Sequence, residues 1–129
     1  MQLFKTKWFM RYARQERIED HSLREAVERA ERGLVDADLG GGIIKQRIAR
    51  AGQGRSGGFR LLIGYRSGNR AVFLYGFAKN ERENITPDDL DTLREIGAAW
   101  LEAKKEHLEN ALNEGQISEV CYDDRKQKN

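Results

Sequence analysis

The spacing of the apolar residues changes twice along this chain of 129 residues, and that change restricts the fold more than any other feature. Between Ile43 and Phe77 apolar side chains recur at every second position, the period of a β-strand with one buried face. Before and after this stretch they recur at intervals of three and four, the period of an amphipathic helix. The sequence therefore predicts an α+β fold: a small, largely antiparallel sheet, two N-terminal helices packed on it and a long C-terminal helix.

The middle segment predicts one strand followed by a hairpin. Along the first strand Ile44, Gln46 and Ile48 alternate with Lys45 and Arg47, so one face of the strand is basic. Two further alternating runs, 59–66 and 71–77, flank a Ser-Gly-Asn turn at 67–69, which is typical of a β-hairpin.

The flanking segments carry helix signals. A strand at 3–5 should lead into a short helix that contains the aromatic cluster around Trp8, and a capping box of Ser22 and Glu25 predicts the start of a second helix. Thr86 as N-cap and Pro87 at the first helical position predict one long helix that ends near Gly115, followed by a last strand within 117–122.

Length and composition predict one domain over residues 1–129, with residues 123–129 as a frayed polar tail. No apolar run approaches the roughly 20 residues of a membrane span, and the N-terminus does not read as an export signal, so we expect a cytoplasmic protein without membrane contact. The single cysteine, Cys121, cannot form an internal disulfide or a thiolate zinc site. We expect it to be structural, and we expect no metal or cofactor.

Charge is distributed unevenly along the chain. Residues 41–82 contain nine Lys/Arg and one Asp/Glu, a net charge of +8, whereas residues 83–129 contain six and twelve. Cations interleaved with strand-forming residues are typical of a surface that binds phosphates. The alternative interpretation is a solvated basic face balanced by the acidic C-terminal third.

The stretch from Ile43 to Ile85 resembles the core of the RelE/HigB superfamily of toxins. It contains GRSGGFR at 54–60 and FAKNER at 77–82, which match the subgroup motifs G-x-S-G-G-[FY]-R and F-A-K-[NS]-E-R in the expected order. The resemblance implies a toxin of a type II toxin-antitoxin pair, held inactive by a cognate antitoxin that covers the basic sheet surface. It also implies a ribosome-dependent, metal-independent endoribonuclease that acts on mRNA.

Cleavage of this kind requires the 2′-hydroxyl to attack the adjacent phosphate, the phosphorane charge to be stabilised and the leaving 5′-oxygen to gain a proton. The resemblance assigns the central role to Arg60, whose planar guanidinium can bind two phosphate oxygens at once. The further candidates for catalysis are Lys45, Arg47, Lys79 and Arg82, and those for RNA binding are Arg50, Arg55 and Arg66.

Two other functions remain open. Related ParE toxins poison DNA gyrase by protein contact, but the convergence of Lys45, Arg47 and Arg60 favours RNA. A nucleic-acid-binding module without catalysis is the third hypothesis, because Asn80 and Thr86 stand where well-known members of the family have Arg and Tyr. His21 and His107 lie outside the matched motifs, so we expect neither to act as a catalytic acid and both to be ordinary surface or helix-face residues.

Overall fold

A computed structural model describes residues 1–50, 57–79 and 85–121. Across these residues the elements are β1 (Gln2–Thr6), α1 (Lys7–Glu16), α2 (Asp20–Glu31), β2 (Ala37–Gly40), β3 (Ile43–Ile48), β4 (Phe59–Arg66), β5 (Arg70–Ala78), α3 (Pro87–Glu102), α4 (Lys105–Asn113) and β6 (Ile117–Glu119). The predicted α+β class is confirmed.

The strands form one sheet in the order β2-β3-β4-β5-β1-β6. β1 runs parallel to β5, and every other neighbouring pair is antiparallel. One face of the sheet packs against α1 and α2 around Phe9, Leu23 and Phe73. The other face packs against α3 and α4 around Leu62 and Leu101, so the sheet lies between two helical layers.

The start of α2 was predicted three residues too late, since the capping box made Ser22 the N-cap and the observed N-cap is Glu19. The helix begins at Asp20, and its N-cap, Glu19, makes no side-chain capping bond. Asp20 is instead bound from two distant parts of the chain: it accepts from Lys5 Nζ at 2.8 Å and from the Cys121 amide at 2.9 Å. These tertiary contacts outweigh the local capping box that the Ser22 hydroxyl could have formed.

The single long C-terminal helix was also a wrong prediction. Thr86 and Pro87 start α3 as expected, with the Thr86 hydroxyl accepting from the Asp89 amide. The helix then ends at Glu102, since Ala103 has extended backbone angles (φ −59°, ψ 135°). The reason is Arg70 on β5, whose Nη1 donates to the carbonyls of Trp100, Leu101 and Ala103 at 2.8–3.1 Å and so satisfies a helix terminus.

A further strand, β2, was not predicted. Three consecutive glycines join it to β3, and Gly40, Gly41 and Gly42 all have positive φ (79°, 62° and 83°), which other residues adopt at a cost. Gln46 is the polar residue on the apolar face of β3, and it binds the segment that leads from α2 into β2. Its buried side-chain amide donates to the carbonyls of Ala26 and Leu34, and its side-chain oxygen accepts from the Asp36 amide. Gln46 therefore ties β3 to the end of α2.

Candidate nucleic-acid interface

The three cations predicted from strand alternation lie on one face of the sheet. In the antiparallel register of β3 and β4, Arg47 is directly opposite Arg60, and Lys45 is opposite Leu62. Residues directly opposite each other in a sheet point to the same side. Because Leu62 packs in the α3 layer, Lys45, Arg47 and Arg60 all belong to that face. We call these three residues the cationic cluster.

Arg60 is the buried member of the cationic cluster. Its side chain is 7% exposed, whereas Arg47 is exposed and Lys45 is partly buried. The pKa of Arg60 is lowered, first by burial and then by the positive charge of Arg47, and Asp36 acts in the opposite direction. Arg60 is thus a partly desolvated guanidinium beside a second guanidinium. A bound phosphate would stabilise both positive charges.

The main chain of Arg47 is fixed from outside its own strand. Its amide donates to Asp36 Oδ2 at 2.7 Å, and its carbonyl accepts from Arg29 Nη2. Arg29 and Asp36 also approach each other to 3.6 Å. The buried Arg29 of α2 therefore positions the strand that carries Lys45 and Arg47, which the sequence analysis did not anticipate.

Helix α3 covers the part of this face next to the β4–β5 turn. Gly97 lets it approach closely, because a Cβ at that position would lie 3.0 Å from Ile43 Cδ1 and 3.1 Å from Leu74 Cδ1. The last turn of α3 meets Arg66 and Arg70, which flank the hairpin turn. Arg60 lies at the opposite end of the hairpin, six residues along β4 from Arg66.

Phe77 and Tyr75 of β5 share the face with Arg60. Phe77 is directly opposite Arg60, and Tyr75 is opposite Leu62. A bulge between Leu62 and Ile63 creates this arrangement: the register that starts from the turn would have placed Gly76 opposite Arg60 and both aromatic side chains on the other face. The alternation pattern does not reveal where the bulge lies, so the sequence analysis could not identify Phe77 and Tyr75 as residues on the face of Arg60.

The remaining predicted cations are dispersed. Lys79 is exposed at the end of the hairpin near Arg60, where its amide donates to the Gly58 carbonyl at 3.2 Å. Arg50 belongs to the other face, with its guanidinium 5.3 Å from the centroid of the Phe59 ring and 3.8 Å from Glu16. Arg66 donates to the Leu101 carbonyl at the end of α3. Arg55 and Arg82 lie outside the described residues, as does the predicted tail at 123–129.

Both histidines, His21 and His107, are exposed, as expected. None of the helices within 1–50, 57–79 and 85–121 combines the length and apolar character needed to cross a bilayer.

Comparison with known proteins supplies the family. A family model described as the RelE toxin of the RelE/RelB toxin-antitoxin system matches residues 1–120, which is nearly the whole chain and includes every helix and strand that the structure describes. No curated protein sequence matches the chain. The resemblance carried by the two short motifs thus extends over the entire fold, and it implies an antitoxin partner. The chain belongs to the RelE toxin family of toxin-antitoxin systems.

Proposed function

We propose that this toxin inhibits translation by cutting mRNA on the ribosome, and that Arg60 binds the scissile phosphate. The observation that carries the proposal is the pairing of buried Arg60 with Arg47 across two neighbouring strands. Such a pair is costly for the fold, because each positive charge raises the free energy of the other in a partly desolvated site. A bound phosphodiester would relieve that repulsion.

The proposed reaction needs no group beyond the RNA, the protein and water. The 2′-oxygen attacks the adjacent phosphorus as its proton passes to solvent, and the P–O5′ bond breaks to leave a 2′,3′-cyclic phosphate and a 5′-hydroxyl. Arg60 donates two N–H groups to the non-bridging oxygens, which carry additional negative charge in the phosphorane. This geometry favours the transition state over the bound substrate.

The other cations have supporting roles in this proposal. Lys45 and Arg47 lie one strand away from Arg60, where they can bind the attacking hydroxyl and the neighbouring phosphate. Lys79 follows the hairpin near Arg60, and its ammonium can donate the proton that the leaving 5′-oxygen requires, to be restored from solvent. Arg82 is assigned to the same step on the motif alone.

The experiment is cleavage of a defined mRNA on translating ribosomes, with 5′ ends mapped by primer extension. We expect Arg60→Ala to reduce the cleavage rate about 100- to 1000-fold, the usual effect of removing one donor to a developing oxyanion. Arg60→Lys should restore only part of the rate, because an ammonium lacks the planar fork. Lys105→Ala is the matched control, since its side chain is 90% exposed on α4.

Three results would contradict the proposal in different ways. Full cleavage by Arg60→Ala would remove Arg60 from the mechanism. Growth arrest by the native chain with intact transcripts would indicate a protein target such as gyrase. RNA binding without cleavage, by the native chain on ribosomes, would leave a binding module.

A further inference from the structure

A row of aromatic rings connects the edge of the sheet to the cationic cluster. Trp8 stacks on Tyr12 with centroids 5.2 Å apart and an interplanar angle of 16°, and it contacts Tyr75 with centroids 4.5 Å apart. Tyr75 is in turn 6.2 Å from Phe77, which lies opposite Arg60. The row therefore begins at an exposed tryptophan and ends beside the buried arginine.

Trp8 is exposed where a purely structural tryptophan would be buried. Its side chain is 45% exposed, although Phe9 next to it is completely buried in the α1 face of the core. The strand pairing explains its position: β1 accompanies β5 only as far as the pair Lys5–Phe73, and the chain then turns into α1. Trp8 thus stands beside the part of β5 that carries Tyr75, two residue pairs from Arg60.

The distances fit the dimensions of a nucleotide. Tyr75 is opposite Leu62, and Arg60 is two residues from Leu62 on the same face, which makes Tyr75 and Arg60 diagonal neighbours with Cβ atoms about 7–8 Å apart. Tyr75 also lines a groove of about 260 Å³ with Asp89, Thr92 and Leu93 of α3. If Arg60 binds a phosphate, a base attached to that phosphate can therefore reach both an aromatic surface and the adjacent groove.

We propose that Trp8 and Tyr75 form a stacking platform for one unpaired base of the mRNA, next to the phosphate that Arg60 binds. Single-stranded RNA is recognised by this combination of a cationic track and aromatic rings on which splayed bases stack. The inference rests on the proposed function only in taking Arg60 as the phosphate site. The platform would determine which nucleotide is favoured beside the cut.

Equilibrium binding tests the platform without any cleavage. The chain has two tryptophans, Trp8 and Trp100, so a Trp100→Phe background leaves Trp8 as the sole tryptophan, which can be excited selectively over the four tyrosines. The probes are a single-stranded hexamer of adenylate and an abasic oligomer with the same number of phosphates. We expect the adenylate hexamer to quench Trp8 emission and the abasic oligomer to leave it unchanged, because only a base can stack on the ring.

The substitutions separate stacking from a structural role. Trp8→Leu, which keeps an apolar side chain, should weaken binding of labelled adenylate hexamer about tenfold, within the range that one base stack contributes. Trp8→Phe should restore most of that loss, and the urea midpoint of each variant shows whether it remains folded. On ribosomes, Trp8→Leu should cut more slowly than the native chain and lose the preference for the nucleotide at the cut.

Each result decides one hypothesis. Unchanged binding by a folded Trp8→Leu variant, or equal quenching by the abasic oligomer, would overturn the platform and leave the endonuclease proposal standing if the native chain still cuts. If the adenylate hexamer quenches Trp8 emission and the abasic oligomer does not, but the native chain cuts no mRNA on ribosomes, the endonuclease proposal is overturned and the platform is retained. If Trp8→Leu and Trp8→Phe weaken binding equally, the ring does not stack with a base.

Discussion

The two ends of the β4–β5 hairpin both bury an arginine on the α3 face, but in opposite surroundings. At the turn end Arg70 is 9% exposed and donates to three carbonyls at the terminus of α3. At the open end Arg60 is 7% exposed and lies opposite Arg47. Burial is the main cause of the lowered pKa of both guanidinium groups.

The difference lies in what each guanidinium faces. A helix C-terminus has partial negative charge and unpaired carbonyls, so the fold itself supplies the acceptors that Arg70 needs. Each guanidinium lies opposite another arginine, Arg66 at the turn end and Arg47 at the open end, so a like-charged neighbour does not distinguish the two ends. The helix terminus that binds Arg70 does, and so does Lys45, which adds a third cation to the face beside Arg60. The comparison teaches that neither burial nor a like-charged neighbour alone distinguishes a functional arginine from a structural one.

The largest effect is expected at Arg70. Arg70→Met should lower the free energy of unfolding by about 2 kcal/mol, because the Ala103 carbonyl loses Arg70 as its donor, while the Trp100 and Leu101 carbonyls each keep one other donor. Urea denaturation followed by circular dichroism measures the change. Loss of less than about 1 kcal/mol would mean that α3 ends without help from Arg70, and the two ends of the hairpin would no longer differ.

The next effect concerns binding. Lys45→Gln and Arg47→Gln should each weaken binding of a single-stranded oligonucleotide several-fold and reduce the slope of log K against log salt by about 0.7, as expected for one lost phosphate contact on a single strand. Arg66→Gln, by contrast, should leave the slope unchanged, because Arg66 is bound to α3. A reduced slope for Arg66→Gln would restore it as an RNA contact.

A smaller effect is expected for the stability of the open end. Arg60→Met should change the free energy of unfolding by less than about 1 kcal/mol, since loss of the contacts of Arg60 is offset by removal of a largely buried charge beside Arg47. The same variant should not cleave mRNA. If it were destabilised as strongly as Arg70→Met, Arg60 would be a structural residue of the same kind as Arg70.

Local patterns predicted much of this arrangement. Alternation placed Lys45 and Arg47 on one face, and the G-F-R motif identified Arg60; both inferences depend on residues within a few positions of each other. The hairpin and the N-terminal cap of α3 were predicted for the same reason, because turn and capping residues act on their immediate neighbours.

Most of the failures involve contacts between residues far apart in the sequence; the unpredicted strand β2 is the exception, since it pairs with β3 across a short glycine turn. The break between α3 and α4 depends on Arg70, which is 30 residues from Trp100. The parallel pairing of β1 with β5 places Gln2 beside Arg70, which is 68 residues away in the sequence. One bulge decided whether Tyr75 and Phe77 would face Arg60. No periodicity in the sequence carries this information, because tertiary packing determines it.

The smallest effect is a pH dependence at the turn end. Glu31 of α2 accepts from the Tyr65 hydroxyl, from Ser67 Oγ at 3.0 Å and from the Gly68 amide at 3.0 Å. These bonds, led by that from Tyr65, lower the pKa of Glu31 below its ordinary value of 4.5. A lowered pKa in the folded state means that the contribution to stability is present above pH 4.5 and is lost as the pH falls through the lower value.

Glu31→Gln should therefore cost about 0.5 kcal/mol at pH 7, a small figure because Glu31 is exposed and solvent screens its charge. The difference from the native chain should begin to shrink below pH 4.5 and vanish once the pH is below the lowered pKa of Glu31, where the native carboxylate is protonated and resembles the amide. Glu28→Gln, at an exposed site on the same helix, controls for loss of one negative charge. A difference that stays constant from pH 7 to pH 3 would show that Glu31 holds the turn by shape rather than by charge.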